Sequence, residues 1–483
     1  MAEKIPHWLT KQAFLAPNRV AIERVDGSTM TFLELKEQSQ LLAKKLASLG
    51  VGKGSHVGIL SNNNVTMIAM IHALSYLGAV AVLLNARLTA SELNYQIKDA
   101  NVIAVIVEDN LFEQGKELEV EKVFNFKQVH LTGAKEIELL SELDLDDPFT
   151  IIYTSGTTGF PKGVIHTFGN HWWSAIGSAL NLGISDKDKW LAVLPYFHVG
   201  GLSIFIKSVI YGMPVYHLNR FSEDVFLDAI YNRGVTIASV VTVMVQRIME
   251  QLGEKVFPEH FRCMLLGGGP APVPLLEQAA LKKIPVFQSF GMTETSSQIV
   301  TLSPRDALRK IGSAGKALFP AQIKIEGTTL NEIGEIFVKG PMVTKGYYNN
   351  DLANRDSFHN GWLSTGDLGY IDDEGFLYVV DRRKDLIISG GENIYPSEIE
   401  SVLTGFPGVK EVGVTGKPDE RWGQSPIAFI VPQNDYVRKE DILDYAKDKL
   451  AKYKLPKEIH FVNSLPRNAS NKLVRNKLMD LIN

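Results

Sequence analysis

Residues 149–163 read FTIIYTSGTTGFPKG, a short β-branched and aromatic run followed by a loop of small, hydroxyl-bearing and glycine residues that closes on Lys162. FTIIY has the composition of a strand buried on both faces. The loop cannot contribute to a core, because three Gly, three Thr, a Ser, a Pro and a Lys carry little apolar surface. A plain turn needs one Gly and perhaps a Pro. This surplus of backbone and hydroxyl donors beside a cation suits an anion nest at a strand end. The Walker A loop, G-x-x-x-x-G-K-[ST], is the obvious comparison, and the spacing fails. From Gly156 the next glycine is Gly159, two residues precede Lys162, and Gly163 stands where the metal-binding Ser or Thr belongs. The chemistry is that of a phosphate loop without its geometry.

Outward from this stretch, the same strand-and-helix texture repeats. HVGIL, AVAVLL, VIAVIV, WLAVLP, MPVYHL, TIASVV, CMLLG and PVFQ are strand candidates separated by helical patterns between about residues 50 and 290. One helix start is legible in TASELNYQIKDA, where Thr89 and Glu92 have the spacing of a capping box. Repeated strand-helix-strand units predict an α/β protein with parallel-rich sheets covered by helices, and ligands at the carboxyl ends of the strands. After about residue 310 the runs IKIEG, GEIFVKG and GFLYVVD indicate a β-rich subdomain, and a small α+β domain begins near Asp381 to Asp385. The expected division is a large N-terminal domain over residues 1–381 and a C-terminal domain over 382–483.

Composition excludes several classes. The 483 residues carry 50 Lys and Arg against 54 Asp and Glu, which makes no global electrostatic case for nucleic acid, so a phosphate-rich ligand needs a local site. A single cysteine, Cys263, rules out an intramolecular disulfide and a multi-thiolate metal centre, and its apolar setting CMLLG reads as a buried thiol. The 11 histidines are scattered and form no zinc motif. MAEKIPHWLTKQ lacks the apolar stretch of a secretory signal. MIAMIHALSYLGAVAVLLN, Met67 to Asn85, reads as a buried helix ending at Gly78 and a buried strand Ala79 to Leu84, with no membrane insertion. A soluble, cytoplasmic protein is expected; the sequence leaves open whether it is a homo-oligomer.

Further polar strings interrupt the apolar background. LLGGGPAP, Leu265 to Pro272, and SFGMTET, Ser289 to Thr295, each follow a strand. Glu294 in the latter could hold Mg²⁺ through one carboxylate, as magnesium is commonly held beside phosphates. In STGDLG, Ser364 to Gly369, Asp367 has the chemistry to accept two ribose hydroxyls. A solvated loop carboxylate and a turn aspartate are the plain readings of these two residues. The last 37 residues hold nine basic side chains against three acidic ones, a solvated face or a surface that meets phosphates.

Taken in order, TSGTTGFPKG, LPYFHVGG, GGGPAP, SFGMTET, STGDLG, DRRKDLIISGGEN and LPRNASNK resemble the motifs of the adenylate-forming superfamily of acyl-CoA synthetases, luciferases and peptide-synthetase adenylation domains. The resemblance spans essentially the whole chain. It implies that a carboxylate attacks the α-phosphate of ATP, that pyrophosphate leaves, and that the acyl group then passes from AMP to the thiol of coenzyme A. By position, Thr154, Ser155, Gly156, Thr157, Thr158, Gly159 and Lys162 would bind the departing phosphates. Thr293 would meet the α-phosphate and Glu294 the Mg²⁺. Ser289, Phe290, Gly291, Met292 and the loop Gly268, Gly269, Pro270 would surround adenine, and Asp367 and Arg382 would fix the ribose. Lys472 matches the lysine on a mobile C-terminal domain that bridges the attacking carboxylate and the α-phosphate. Lys384 takes the hinge position, and Gly390 and Gly391 the coenzyme A channel. Phe290 replaces a frequent Tyr, and Asn471 replaces a frequent Gly before the lysine.

The acyl group is addressed by LPYFHVGGLSIFIKSVIYG, Leu194 to Gly212. His198 matches the superfamily's histidine beside the acyl site, and the apolar helix after it would line the pocket. Ser203 and Lys207 share one face of that helix. Lys207 either snorkels to solvent or points inward to pair with a second substrate carboxylate. This helix, with TFGNHWWSA from Thr167 and LLGGGPAPVPLLE from Leu265, resembles the o-succinylbenzoate-CoA ligases of menaquinone synthesis, whose substrate is a small aromatic dicarboxylate. The alternatives are another aryl- or medium-chain acyl-CoA synthetase of the same superfamily, a phosphotransferase that cleaves the β-γ bond, and a carrier-protein adenylation module that loads a phosphopantetheine arm.

Overall fold

The computed structural model describes residues 3–154, 161–268, 271–327, 331–382, 385–389, 392–419, 422–434, 436–447, 449–450, 452–468 and 472–482. The chain divides into two compact units. The first comprises residues 1–270, 277–323 and 338–363, and the second comprises 271–276, 324–337 and 364–483.

The first unit is built around two large sheets and the helices that cover them. In the six-stranded sheet the order is Lys162–Thr167, Pro148–Thr154, Val80–Leu84, His56–Leu60, Ala104–Val107 and Val123–Asn125. All neighbours are parallel except the first pair, in which Lys162–Thr167 runs antiparallel to Pro148–Thr154. FTIIY is thus a strand, as its composition predicts. The chain returns from the glycine loop as a second strand rather than as a helix. A Walker A loop leads instead into a helix whose N-terminus aims at the phosphate.

The second sheet of this unit has a parallel centre. Val286–Met292, Cys263–Gly267, Ile237–Val241, Trp190–Ala192, Val215–His217 and Val20–Arg24 follow one another in parallel register. Ser297–Leu302 pairs antiparallel with Val286–Met292 and continues the sheet toward Ser313–Ala317. One core spans both sheets, with Val57, Ile59 and Ile152 from the first and Trp190, Val215 and Ile237 from the second. Between them lies the helix Val65–Leu77, buried along every turn because its composition is apolar all round. It ends at Gly78 in the left-handed conformation, φ 64°, and the strand Val80–Leu84 follows, so the run from Met67 to Asn85 is core. Among the described residues no helix is long and apolar enough to cross a membrane. The capping box at Thr89 forms, with each partner accepting the other's backbone amide.

In the second unit, the hairpin strands Trp362–Ile371 and Leu377–Arg382 pair antiparallel. A five-stranded sheet follows, ordered Glu392–Ile394, Ile387–Ser389, Gly423–Pro432 and Val409–Asp419, with Glu458–Phe461 parallel to Gly423–Pro432. Helices Pro396–Thr404 and Lys439–Lys447 close one face over Ile387, Ile399, Leu403, Val414, Ile430 and Ile442.

Candidate functional site

The antiparallel return of the chain sets Lys162 opposite Thr154, at the base of the glycine loop. Ser155, Gly156, Thr157, Thr158 and Gly159 lie outside the described residues. Lys162 Nζ stands 4.9 Å from the ring centroid of Tyr347, a cation over an aromatic face. The hydroxyl of the same tyrosine donates to Glu294 Oε1 at 2.9 Å. Burial first, then the neighbouring Glu294 charge, raise the Tyr347 phenol above its ordinary value, so it stays a neutral donor. Cation, ring and carboxylate thus form a short stack, and Tyr347 is a member that sequence reasoning missed. Its only signal is an aromatic directly after Gly346 in GYYNN.

Glu294 is 5% exposed and sits in the single turn Thr293–Thr295 that follows the strand Val286–Met292. The strand reaches this turn past Gly291, where a Cβ would fall 2.2 Å from the Ser297 carbonyl, so no side chain fits. Ser289 Oγ donates to the Leu266 carbonyl of the neighbouring strand at 3.0 Å, and Ser289, Phe290 and Met292 are half-buried. Gly268 leaves that neighbouring strand with φ +85°; Gly269 and Pro270 lie outside the described residues.

The turn is held from behind by a chain of buried polar groups. His166 Nε2 is 2.7 Å from the Thr293 carbonyl, and His166 Nδ1 is 3.2 Å from Thr150 Oγ1. Thr150 Oγ1 is in turn 3.0 Å from His171 Nε2. Burial pulls the His166 imidazole down to about 4, against the opposing hydrogen bond to Thr293. Burial also holds His171 well below its ordinary value, helped by the His166 and Lys207 charges.

Beyond the turn the chain enters the strand Ser297–Leu302, whose first residues meet the acyl helix. Thr295 Oγ1 donates to the Ser297 carbonyl at 2.7 Å, and Ser297 adopts φ 133°, an unusual angle for a residue with a side chain. Its hydroxyl meets Lys207 Nζ at 3.4 Å and Ser203 Oγ at 3.5 Å. Lys207, 1% exposed in the helix Val199–Tyr211, also donates to Gln298 Oε1 at 3.1 Å and lies 5.7 Å from the Trp190 ring centroid. Gln298 is fixed from the other side by Ser178 at 2.9 Å. The inward orientation is the one adopted. Among the described residues no carboxylate pairs with Lys207, and burial lowers its ammonium from 10.5 to about 7. His198, half-buried, occupies the N-cap of the same helix with its ring edge-on to Phe197.

In the second unit, Asp367 is 9% exposed and stands in register with Arg382 on the adjacent strand. Lys384, Gly390 and Gly391 lie outside the described residues. Lys472 is exposed; its amide donates to Asn468 Oδ1 at 2.9 Å and its carbonyl accepts from the Asn468 amide at 2.9 Å. Asn471 lies outside the described residues.

A family model described as AMP-binding enzyme matches residues 9–348, and one described as AMP-binding enzyme C-terminal domain matches residues 398–472. The chain belongs to the AMP-binding enzyme family. This AMP-binding enzyme is similar to the 2-succinylbenzoate–CoA ligase of Oceanobacillus iheyensis, with 59% identity over 481 residues that cover 99% of this chain and 100% of that one. Among solved structures it is similar to the o-succinylbenzoate CoA synthetase of Bacillus subtilis in complex with the acyl-adenylate intermediate, at TM-score 0.95 and 48% identity, covering 99% and 98% of the two chains. The same Bacillus subtilis enzyme in complex with ATP and magnesium ion gives TM-score 0.94 and 48% identity, covering 99% and 100%. The α/β fold expected from the sequence is therefore the fold of the AMP-binding enzymes.

Proposed function

We propose that this protein is an AMP-forming acid-thiol ligase that joins o-succinylbenzoate to coenzyme A in menaquinone synthesis, in the cytoplasm. The observation that carries the substrate choice is Lys207, a buried cation that, among the described residues, is held by neutral side chains and an aromatic face. A buried charge without a counter-charge is costly, and a ligand carboxylate removes the deficit. A fatty acid or benzoate spends its one carboxylate on activation and leaves Lys207 unpaired. A dicarboxylate offers a second. The 59% identity to the Oceanobacillus iheyensis ligase supports the same reading.

In the first step a carboxylate oxygen of the acid attacks the α-phosphorus and the bond to pyrophosphate breaks. Lys162, the hydroxyls of Thr154, Ser155, Thr157 and Thr158 and the amides of Gly156 and Gly159 take the charge of the leaving pyrophosphate, while Lys472 sits between the two reacting anions. Thr293 contacts the α-phosphate, Asp367 and Arg382 hold the ribose, and His198 borders the acyl group. Ser289, Phe290, Gly291, Met292, Gly268, Gly269 and Pro270 enclose adenine. The donor set at Glu294 fits a magnesium ion, since the carboxylate is hard and oxygen-bearing. Among the described residues no group of three or more His, Cys, Asp or Glu could cage a metal, which leaves the remaining positions to phosphate and water. Such an ion supplies charge neutralisation to the phosphates when bound. In the second step the coenzyme A sulfur, having lost its proton to solvent, attacks the acyl carbon and AMP leaves. Gly390 and Gly391 line the approach after rotation about Lys384.

The test is acid-dependent pyrophosphate release with ATP, Mg²⁺ and coenzyme A across a panel of acids. Turnover with o-succinylbenzoate and little with benzoate or a medium-chain acid is expected. Turnover with a monoacid alone, or release of ADP and phosphate, overturns the reading.

A further inference from the structure

We propose that His166 is a positioning residue for the adenylation half-reaction: through a one-way hydrogen-bond chain, His171 to Thr150 to His166 to the Thr293 carbonyl, it fixes the turn that carries Glu294. The proposal rests on the assignment of Thr293 and Glu294 to the α-phosphate and magnesium, and adds residues that carry no role in that assignment.

The direction of the chain follows from what each atom can do. The Thr293 carbonyl can only accept, so the proton between it and His166, 2.7 Å away, belongs to Nε2. A neutral imidazole has one N–H, so His166 Nδ1 is an acceptor and Thr150 Oγ1 donates to it across 3.2 Å. That hydroxyl has then spent its proton, and the 3.0 Å contact with His171 requires His171 Nε2 to donate to Thr150. One tautomer of each histidine satisfies every contact, and the alternative leaves two lone pairs facing each other at Thr293. All three side chains are shut from solvent, at 0% exposure for Thr150 and His166 and 2% for His171, so no bulk water competes.

The placement is as specific as the polarity. Thr150 and His166 are register partners on the antiparallel strands that flank the glycine loop, while His171 lies one turn into the helix Phe168–Leu182. The chain therefore ties the turn bearing Glu294 to the two strands bearing Thr154 and Lys162. Another pair of contacts holds the same segment nearby. Thr344 donates its amide to the Glu294 carbonyl at 2.8 Å, and Ser174 of the same helix donates to the Ser296 carbonyl at 2.9 Å. Without His166 the Thr293 carbonyl keeps the Ser296 amide at 3.1 Å but loses its side-chain donor, and the Thr293–Glu294 peptide is held less tightly. Outer groups that orient a metal-binding side chain typically change metal affinity or activity by roughly 10- to 100-fold when removed.

The experiment compares wild type with His166→Ala, His166→Gln and Thr150→Val in two assays. The first titrates Mg²⁺ in o-succinylbenzoate-dependent pyrophosphate release; the second follows thioester formation from supplied acyl-adenylate. His166→Ala should raise the Mg²⁺ needed for half-maximal adenylation by about tenfold or more, with thioester formation within about twofold of wild type. His166→Gln, whose amide can donate to Thr293 and accept from Thr150, should recover most of the loss. Thr150→Val removes the donor that fixes the tautomer and should reproduce the Mg²⁺ shift in smaller measure; it reads the same effect if His166→Ala does not fold. An unchanged Mg²⁺ requirement in Thr150→Val and His166→Ala, or equal loss in both half-reactions, overturns the proposal. A wild-type protein inactive with o-succinylbenzoate but active with another acid overturns the substrate reading and leaves this comparison to be made with that acid.

Discussion

The phenolic oxygen of Tyr347 lies 2.9 Å from Glu294 Oε1, and the face of the same ring carries the Lys162 ammonium 4.9 Å from its centroid. One aromatic side chain thus sets the separation between the carboxylate assigned to magnesium and the lysine assigned to the leaving pyrophosphate. Tyr347→Phe keeps the ring under Lys162 and removes the hydroxyl from Glu294. Loss of a hydrogen bond to a charged group corresponds to about 1.5–3 kcal/mol, so adenylation should slow by roughly tenfold or more. Thioester formation from supplied acyl-adenylate should be unchanged. Tyr347→Leu should be worse, because it removes the cation's platform as well.

Lys207 makes binding of the acid depend on pH in a direction that can be worked out. In the free protein its ammonium titrates at about 7, lowered by burial, and its charge is felt at His171, which burial keeps neutral. A second substrate carboxylate favours the charged form and raises that value in the complex. Binding is then at full strength below pH 7 and weakens as pH rises above it, since Lys207 must take up a proton to pair. KM for o-succinylbenzoate should be flat below pH 7 and rise up to about tenfold per pH unit above it, the limit for one linked proton. Lys207→Ala should lower kcat/KM for the dicarboxylate on the order of 100-fold and abolish the pH dependence. Equal pH profiles for o-succinylbenzoate and a monoacid would falsify the pairing.

What the sequence makes legible here is local chemistry. FTIIY, the capping box at Thr89 and the left-handed stop at Gly78 are set by neighbours within a few residues, so composition and spacing suffice to read them. The glycine loop is legible as an anion site for the same reason, but its antiparallel return is not, because pairing partners are a tertiary choice. The direction of Lys207 was open for a related reason. The helix Val199–Tyr211 is apolar nearly all round, so no solvent face exists to snorkel toward, and Ser297 and Gln298, about 90 residues on, accept from the amine. His166 and His171 looked scattered because the hydroxyl that joins them, Thr150, is on another strand, and a pattern scan along the chain does not see across a sheet.

Lys472 gives a prediction that separates the two half-reactions. It is exposed, and its backbone is tied to Asn468 by two hydrogen bonds. Lys472→Ala should abolish acyl-adenylate formation yet leave conversion of supplied acyl-adenylate to thioester near the wild-type rate. Asn468→Ala removes the acceptor at 2.9 Å from the Lys472 amide and should weaken adenylation alone, by a smaller factor. Equal loss in both assays would show that Lys472 serves the fold of its unit rather than the first step.

The buried histidines predict an acid-sensitive fold. Burial lowers His72, His166 and His217 to about 4 and His7 to about 3, with the His72 charge contributing at His7. In the unfolded chain each titrates near 6.5. Above that value both states are neutral and these groups add nothing to the pH dependence. As pH falls from 6.5, the unfolded chain takes up protons that the folded protein refuses, so stability declines until pH reaches the folded values. At pH 5 each group can cost on the order of 2 kcal/mol, while most carboxylates are still ionised. The histidines' contribution to the melting temperature should therefore be level above pH 7, where buried Lys207 adds a rise of its own toward higher pH, and fall steeply between pH 6.5 and 5. His72→Met, which removes a titrating group from a buried helix, should make that fall shallower, and an unchanged slope in this variant would show that His72 titrates as freely in the folded protein as in the unfolded chain.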